Sequence, residues 1–242
     1  MTKSVNDYQK VWAIGDLHLS IGLSPDLAKP MDVFGDHWLD HTAQIEEAWQ
    51  AKVGPTDIVL LPGDLCWGNK LEDVLPSLDW LESLPGQKIL CRGNHDNWWQ
   101  SIRRLRDSLP ASIHLIHNDC VVLGDMAFAG SRGWSFYDQE GGGHQAKMIR
   151  REVLRLEASL SKIPEDVRLR FALMHFPPFR EAGEESIFTQ LLAKYQINYC
   201  VYGHLHGSDC CRFQKVSMGM TEFQLVSSDY LDFSPVNIYN KY

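Results

Sequence analysis

Five short stretches of this 242-residue chain place metal-binding side chains directly after β-type runs. They are Gly15-Asp16-Leu17-His18, Gly63-Asp64, Gly93-Asn94-His95-Asp96, Met174-His175 and Gly203-His204-Leu205-His206. A set of carboxylates, imidazoles and one carboxamide, without cysteine, suits a hard or borderline cation rather than a structural zinc cage. Four of the stretches follow apolar runs, Val11 to Ile14, Ile58 to Leu61, Phe171 to Leu173 and Tyr199 to Tyr202. The run before the third, Lys88-Ile89-Leu90-Cys91, carries one charge at its start. Runs of that length, bounded by Gly and rich in Val, Ile and aromatics, read as buried strands. Sites in open α/β sheets form at the carboxyl ends of strands, so ligands nearly two hundred residues apart can meet there.

The elements needed to position these groups are legible as alternating periods. Strands are expected near 10–15, 57–62, 87–92, 120–123, 126–130, 168–175, 197–203, 210–214 and 222–227. Helical spacing links Trp38, Thr42, Ile45 and Trp49, and again Leu71, Val74, Leu75, Leu78 and Leu81. It recurs at Trp98, Ile102 and Leu105, at Ile149, Val153, Leu156 and Leu160, and at Ile187, Leu191, Leu192 and Tyr195. Trp98-Trp99 is expected to open a helix and pack inward. Residues 120–130 read as a hairpin turning at Gly124-Asp125. Two packed sheets with helices outside accommodate this mixture. Residues two apart on extended backbone point the same way, so His204 and His206 are expected to face the metals while Leu205 turns into the core. The same expectation holds for Asp16 and His18 around Leu17.

In order and residue type the five stretches resemble the calcineurin-like metallophosphoesterases, over residues 15 to 206. A lone Asp-x-His is common by chance; five elements in order, each after a strand, are specific. The resemblance implies a four-layer α/β/β/α sandwich of two mixed sheets, with a dinuclear metal site at the strand ends. It implies that Asp64 bridges two divalent cations, whose mutual repulsion a shared anion must offset. Asp16, His18 and His206 would complete one ion, and Asn94, His175 and His204 the other. Mn, Fe or Zn suit so many imidazoles better than Mg does. The implied reaction is hydrolysis of a phosphoric ester by in-line attack of a metal-bridging hydroxide. His95 is the candidate to stabilise charge or protonate the leaving oxygen, with Asp96 as a candidate local partner.

One departure narrows the subfamily. Protein Ser/Thr phosphatases of this family place a second Asp, followed by Arg-Gly, three residues after the Gly-Asp motif, where it orients the catalytic His. Here Trp67 stands at that position. The shared Asp-Leu-His-Leu and Gly-Asn-His-Asp are closer to bacterial phosphodiesterase-like members. A diesterase is therefore expected over a protein phosphatase. Outside the motifs, Arg132 is the candidate to contact a substrate phosphate, with Trp134 available to stack on a base or sugar. Arg180 is a weaker candidate; the loop at 19–37 follows the first ligands, and the loop at 130–144 holds Arg132, Trp134 and Gly141-Gly142-Gly143-His144.

Composition sets the remaining bounds. The chain is 44% hydrophobic, enough for one sizeable core, and no linker or repeat divides residues 1–242, so a single domain is expected. The formal charge of −8 opposes non-specific binding to duplex nucleic acid, which relies on cationic side chains. The first ten residues are polar, and no run is long enough to span a bilayer. Six cysteines without paired spacing fit a reduced cytoplasm. The leading expectation is thus a cytoplasmic hydrolase acting on a small or medium-sized phosphate ester. A nuclease on the same site, or a scaffold that binds metal without chemistry, are the alternatives. The acidic balance disfavours the first, and the filled ligand positions disfavour the second.

Overall fold

A computed structural model describes residue 8 and residues 10–136, 142–212 and 215–241. The first sheet has the order β11-β1-β2-β3-β4. It is built from β1 (Lys10–Ala13), β2 (Ile58–Leu61), β3 (Gln87–Leu90), β4 (Ile113–Leu115) and β11 (Val236–Asn240). Its pairs are parallel except β1 with β11. The second sheet has the order β5-β6-β7-β8-β10-β9. Its strands are β5 (Val121–Leu123), β6 (Met126–Ser131), β7 (Leu169–Met174), β8 (Tyr199–Tyr202), β9 (Val216–Met218) and β10 (Thr221–Leu225). The expected hairpin is present: Leu123 pairs with Met126 across Gly124-Asp125.

Three apolar clusters separate four layers. Helices α1 (His41–Lys52), α2 (Leu71–Ser83) and α3 (Ile102–Asp107) cover the outer face of the first sheet, with Ile45, Trp49, Leu78 and Leu105 packed on Val59 and Leu61. Helices α4 (Gly142–Leu160) and α5 (Ile187–Lys194) cover the second sheet, with Leu156, Leu160, Phe188 and Leu192 on Ala172 and Met174. Between the sheets lie Val11, Ala13, Ile58, Leu60, Phe128, Phe171 and Leu173. Successive residues of one strand thus serve opposite clusters, as the two-residue period demands. Because both faces are buried, the central strands read as unbroken apolar runs. The fold is an α/β/β/α sandwich of two mixed sheets.

Four strands and one helix start differ from expectation. β4, β9 and β11 are edge strands; β4 and β9 span three residues each, too short to stand out, and β11 is half-exposed. In place of a strand at 210–214, Gly207–Arg212 forms a 3-10 helix, and residues 213 and 214 lie outside the described residues. Gly141 of the glycine run lies outside them as well. Trp98 and Trp99 are buried, as expected, but α3 starts only at Ile102. Among the described residues, no helix is long and apolar enough to cross a membrane.

Candidate metal centre

The carboxyl ends of β1, β2 and β3 in one sheet and of β7 and β8 in the other open onto the same place. Their loops are hydrogen-bonded to one another. Asp16 N–H donates to the Gly63 carbonyl at 3.1 Å, His18 N–H to that of Asp64 at 3.0 Å, and Gly203 N–H to that of His175 at 3.1 Å. Close approach depends on glycine at two points. A Cβ on Gly203 would lie 2.2 Å from Asp16 Oδ2, and one on Gly93 2.0 Å from Asp64 Oδ1. These glycines make room for carboxylates.

Asp16, His18, Asp64 and His204 have φ of 55°, 46°, 52° and 73°. This left-handed backbone corrects the expectation that Asp16-Leu17-His18 and His204-Leu205-His206 are extended. Leu17 is buried and Leu205 packs on the second outer cluster, as expected, yet it is a turn that aims their neighbours. Four non-glycine residues in a sparsely populated region, all at one site, are a concentration of backbone strain of the kind functional loops hold.

The expected ligand atoms converge. Asp16, His18 and His206 offer ligating atoms within 4.8 Å of one another, and so do Asp16, Asp64 and His175. Asn94 Oδ1 lies 2.6 Å from His175 Nε2 and 3.0 Å from His204 Nδ1. Asp64 Oδ2 faces a histidine of each expected set, His175 Nε2 at 3.4 Å and His18 Nε2 at 4.0 Å. His18 Nε2 and His206 Nε2 approach to 3.4 Å. The Asp16 carboxylate also accepts the His204 N–H, at 3.0 Å to Oδ2.

The electrostatics of this group suit cations. Burial pulls His175 and His204 down to about 3 and His18 well below its ordinary value, so all three are neutral lone-pair donors at pH 7. Burial likewise pushes Asp16 up to about 7 and raises Asp64. Facing imidazole lone pairs and buried carboxylates that resist ionisation are both relieved by divalent cations, so the donor set fits the metals the fold implies.

Asp229, which no motif marks, is part of this frame. Its Oδ1 lies 2.8 Å from His206 Nδ1, and its Oδ2 accepts the Gly207 N–H at 2.9 Å. Burial alone would lower His206, but the Asp229 hydrogen bond and the charge of Asp16 raise it to about 8. A carboxylate on Nδ1 leaves Nε2 as the ligating atom. His175 is oriented in the same way, with Nδ1 3.1 Å from the Pro62 carbonyl.

His95 sits at the edge of the group. Its N–H donates to Asp64 Oδ1 at 2.8 Å, and its ring lies 4.5 Å from Trp67. Burial, opposed by the charge of Asp64, holds it below its ordinary value. Trp67 also stacks on His18 at 4.7 Å, so the residue that replaces the phosphatase Asp packs on two site histidines.

Asp96, expected as a local partner of His95, is engaged by donors from the turns around it. Its fully buried carboxylate accepts four hydrogen bonds, from Gly93 N–H at 2.7 Å, Asp64 N–H at 2.9 Å, Leu65 N–H at 3.0 Å and Trp98 Nε1–H at 3.0 Å. It ties the Gly93–Asp96 turn to the Asp64 turn. Asp96→Ala orphans all four donors, and each buried unpaired donor costs about 1–3 kcal/mol. A total loss of roughly 4–5 kcal/mol, at the low end of four such costs, is expected in urea denaturation. A loss of under about 1 kcal/mol would return Asp96 to the chemistry.

Arg132 follows β6, and its carbonyl accepts the N–H groups of His175 and Phe176. Its guanidinium is 3.6 Å from the buried Glu152 and 4.7 Å from the Trp134 ring, with the side chain 15% exposed. Arg180 is exposed. A cavity of about 410 Å³ lies in front of the metal group, reached by His18, Asp64, His95, His204 and His206 and closed by Met31, Phe34, Trp38 and Trp67. The loop at 19–37 therefore does contribute to this wall.

A profile of the calcineurin-like phosphoesterases matches residues 9–208. Two mycobacteriophage proteins, each named Gene 66 protein, are similar over part of the chain. That of phage D29 is 36% identical over 86 residues, and that of phage L5 31% over 85. Those stretches cover 36% and 35% of this chain and only 40% and 39% of the phage proteins. Among solved structures, TT1561 of Thermus thermophilus superposes with a TM-score of 0.53 at 11% identity, over 96% of this chain and 99% of that one. GAP50, described as the anchor in the inner membrane complex of Plasmodium, gives 0.50 at 12%, over 91% and 72%. At such identities these two show likeness of fold.

Proposed function

The chain belongs to the calcineurin-like phosphoesterases, and from that premise we propose that it hydrolyses a phosphodiester of a small or medium-sized molecule. The observation that carries this is the meeting of seven donor residues from five loops, four of which, with His95, line one cavity. In this reading the whole chain is one catalytic domain, and two divalent ions, Mn, Fe or Zn, are held by Asp16, His18, Asp64, Asn94, His175, His204 and His206. Bound ions supply an acidified water as nucleophile and positive charge facing the phosphoryl oxygens.

The protein's own groups do the rest. Asp16 and Asp64 provide the negative charge that keeps two cations close. The neutral imidazoles of His18, His175 and His204 present lone pairs without first losing a proton. Asp96 and Asp229 hold the ligand loops in place. His95, beside Asp64 but outside the ligating groups, gives a proton to the leaving oxygen or a hydrogen bond to a phosphoryl oxygen.

A diester carries one negative charge fewer than a monoester and needs fewer cations around it. Near the motifs stand Lys29, Arg92, Arg132 and Arg180, of which Arg180 is exposed. Trp67 also removes the carboxylate that orients the catalytic His of the protein phosphatases. The test is a hydrolysis screen of metal-reconstituted protein with aryl diesters, aryl monoesters, cyclic nucleotides, single-stranded DNA and phosphoserine peptides. Diester turnover above the others is expected. Efficient cleavage of phosphoserine peptides without diester hydrolysis overturns the reading, preference for DNA makes the protein a nuclease, and silence on every ester makes it a scaffold.

Arg132 is assigned to a non-bridging phosphate oxygen. A charge-assisted hydrogen bond contributes about 1.5–3 kcal/mol, so Arg132→Ala is expected to raise KM roughly 10- to 100-fold with little change in kcat. A lowered melting temperature with both constants unchanged would leave Arg132 a strut between Glu152 and Trp134.

A further inference from the structure

The cavity before the metal group has two unlike walls. One is polar and carries the chemistry. The other is apolar, and its parts differ in how open they are. Trp38 and Met31 form a closed floor, 2% and 5% exposed. Trp67 is engaged by His18 at 4.7 Å and by the Lys29 ammonium at 4.4 Å, so its ring is already covered. Phe34 is 66% exposed yet lines the same cavity. It ends the 3-10 helix Met31–Phe34, and Gly35, at φ 130°, bends the chain directly into a second one, Asp36–Trp38. A Cβ at Gly35 would lie 2.7 Å from His37 Nδ1. The bend therefore needs glycine, and it sets a phenyl ring at the cavity mouth.

A large aromatic side chain left in water at such a place has surface to give to a ligand. His95 shares the cavity and touches Trp67, so the apolar wall adjoins the group assigned to the leaving oxygen. The volume holds a phosphoryl group with one ring system and excludes a folded protein.

Building on the phosphoesterase reading, we propose that Phe34, over the Met31 and Trp38 floor, forms a subsite for a flat, uncharged aromatic group, aryl or nucleobase, on the leaving-group side of the ester. The aromatic group stacks on Phe34 while the phosphoryl group reaches the metals. Phe34 sets specificity and takes no part in bond breaking.

The test is calorimetric binding to Mn²⁺-loaded protein of three non-hydrolysable probes: methylphosphonate, phenylphosphonate and adenosine 5′-phosphonate. The wild type is expected to bind at least one aromatic probe about tenfold or more tightly than methylphosphonate. The stronger of the two distinguishes an aryl from a nucleobase source. Phe34→Ala, at an exposed position compatible with folding, is expected to abolish that ratio and leave methylphosphonate affinity unchanged. Equal binding of all three to the wild type, a ratio that survives Phe34→Ala, or a parallel loss of all three overturns the aromatic subsite alone. Failure of every probe to bind the metal-loaded wild type overturns the subsite, whereas silence on every ester of the hydrolysis screen overturns the phosphoesterase reading and the subsite with it.

Discussion

Asp64→Asn is expected to give a folded protein that has lost both its divalent ions and its turnover. The two oxygens of Asp64 do different work, and the substitution separates them. Oδ1 accepts the His95 N–H, a task an amide carbonyl performs equally well, so the Gly93–Asp96 turn should survive. Oδ2 faces His175 Nε2 at 3.4 Å and His18 Nε2 at 4.0 Å, one histidine of each ligand set. An amide NH₂ there brings neither charge nor a lone pair, and two cations cannot share it. Burial already raises Asp64, so the neutral variant should be no less stable than wild type when both are free of metal. Elemental analysis and thermal melts in chelator read the two halves of this expectation. Two ions retained per chain would remove Asp64 from the bridging role.

His95→Ala should do the opposite, keeping both ions while turnover falls roughly 10²–10⁴-fold. The ligating atoms that cluster come from Asp16, His18, Asp64, His175 and His206, with Asn94 alongside His175 and His204. The imidazole of His95 is not among them. What ties residue 95 to the site is its backbone N–H on Asp64, and alanine keeps that bond. Leaving groups then separate the two roles open to the ring. A proton donor matters little when the departing oxygen is already a stable anion, so a smaller loss on nitrophenyl esters than on alkyl esters identifies proton donation. Equal losses identify stabilisation of charge on the phosphoryl oxygens. Loss of metal in His95→Ala would make the histidine a ligand or a scaffold residue.

The strands that deliver the site were readable before any coordinates. β2 is covered on both faces along its whole length, and β1, β7 and β8 carry apolar runs towards their carboxyl ends, where the metal-binding residues that follow mark the end of each strand. Edge strands lack that signature. β11 has no buried residue, with Asn237 exposed and the other four half-buried, and it becomes a strand because β1 offers it unpaired backbone groups.

The same division runs through the site. Side-chain types and order in Asp16 to His206 are local information, sufficient to name a family and a donor set. Direction is not local. Left-handed backbone costs a non-glycine residue about 1–2 kcal/mol, and contacts between loops, such as His18 N–H on the Asp64 carbonyl, select it nonetheless. Asp96 stands beside His95 in the chain, yet its carboxylate belongs to the turns of Asp64 and Gly93, because buried N–H donors must be satisfied and they surround it. Asp229 lies 23 residues beyond His206 in a plain Ser-Ser-Asp segment. It reaches that ring because Gly15 N–H bonds the Val226 carbonyl and Ser228 the Gly15 carbonyl, drawing the end of β10 over the end of β1. Hydrogen bonds between segments so far apart in sequence depend on how the two sheets pack, and a local pattern carries no record of that packing.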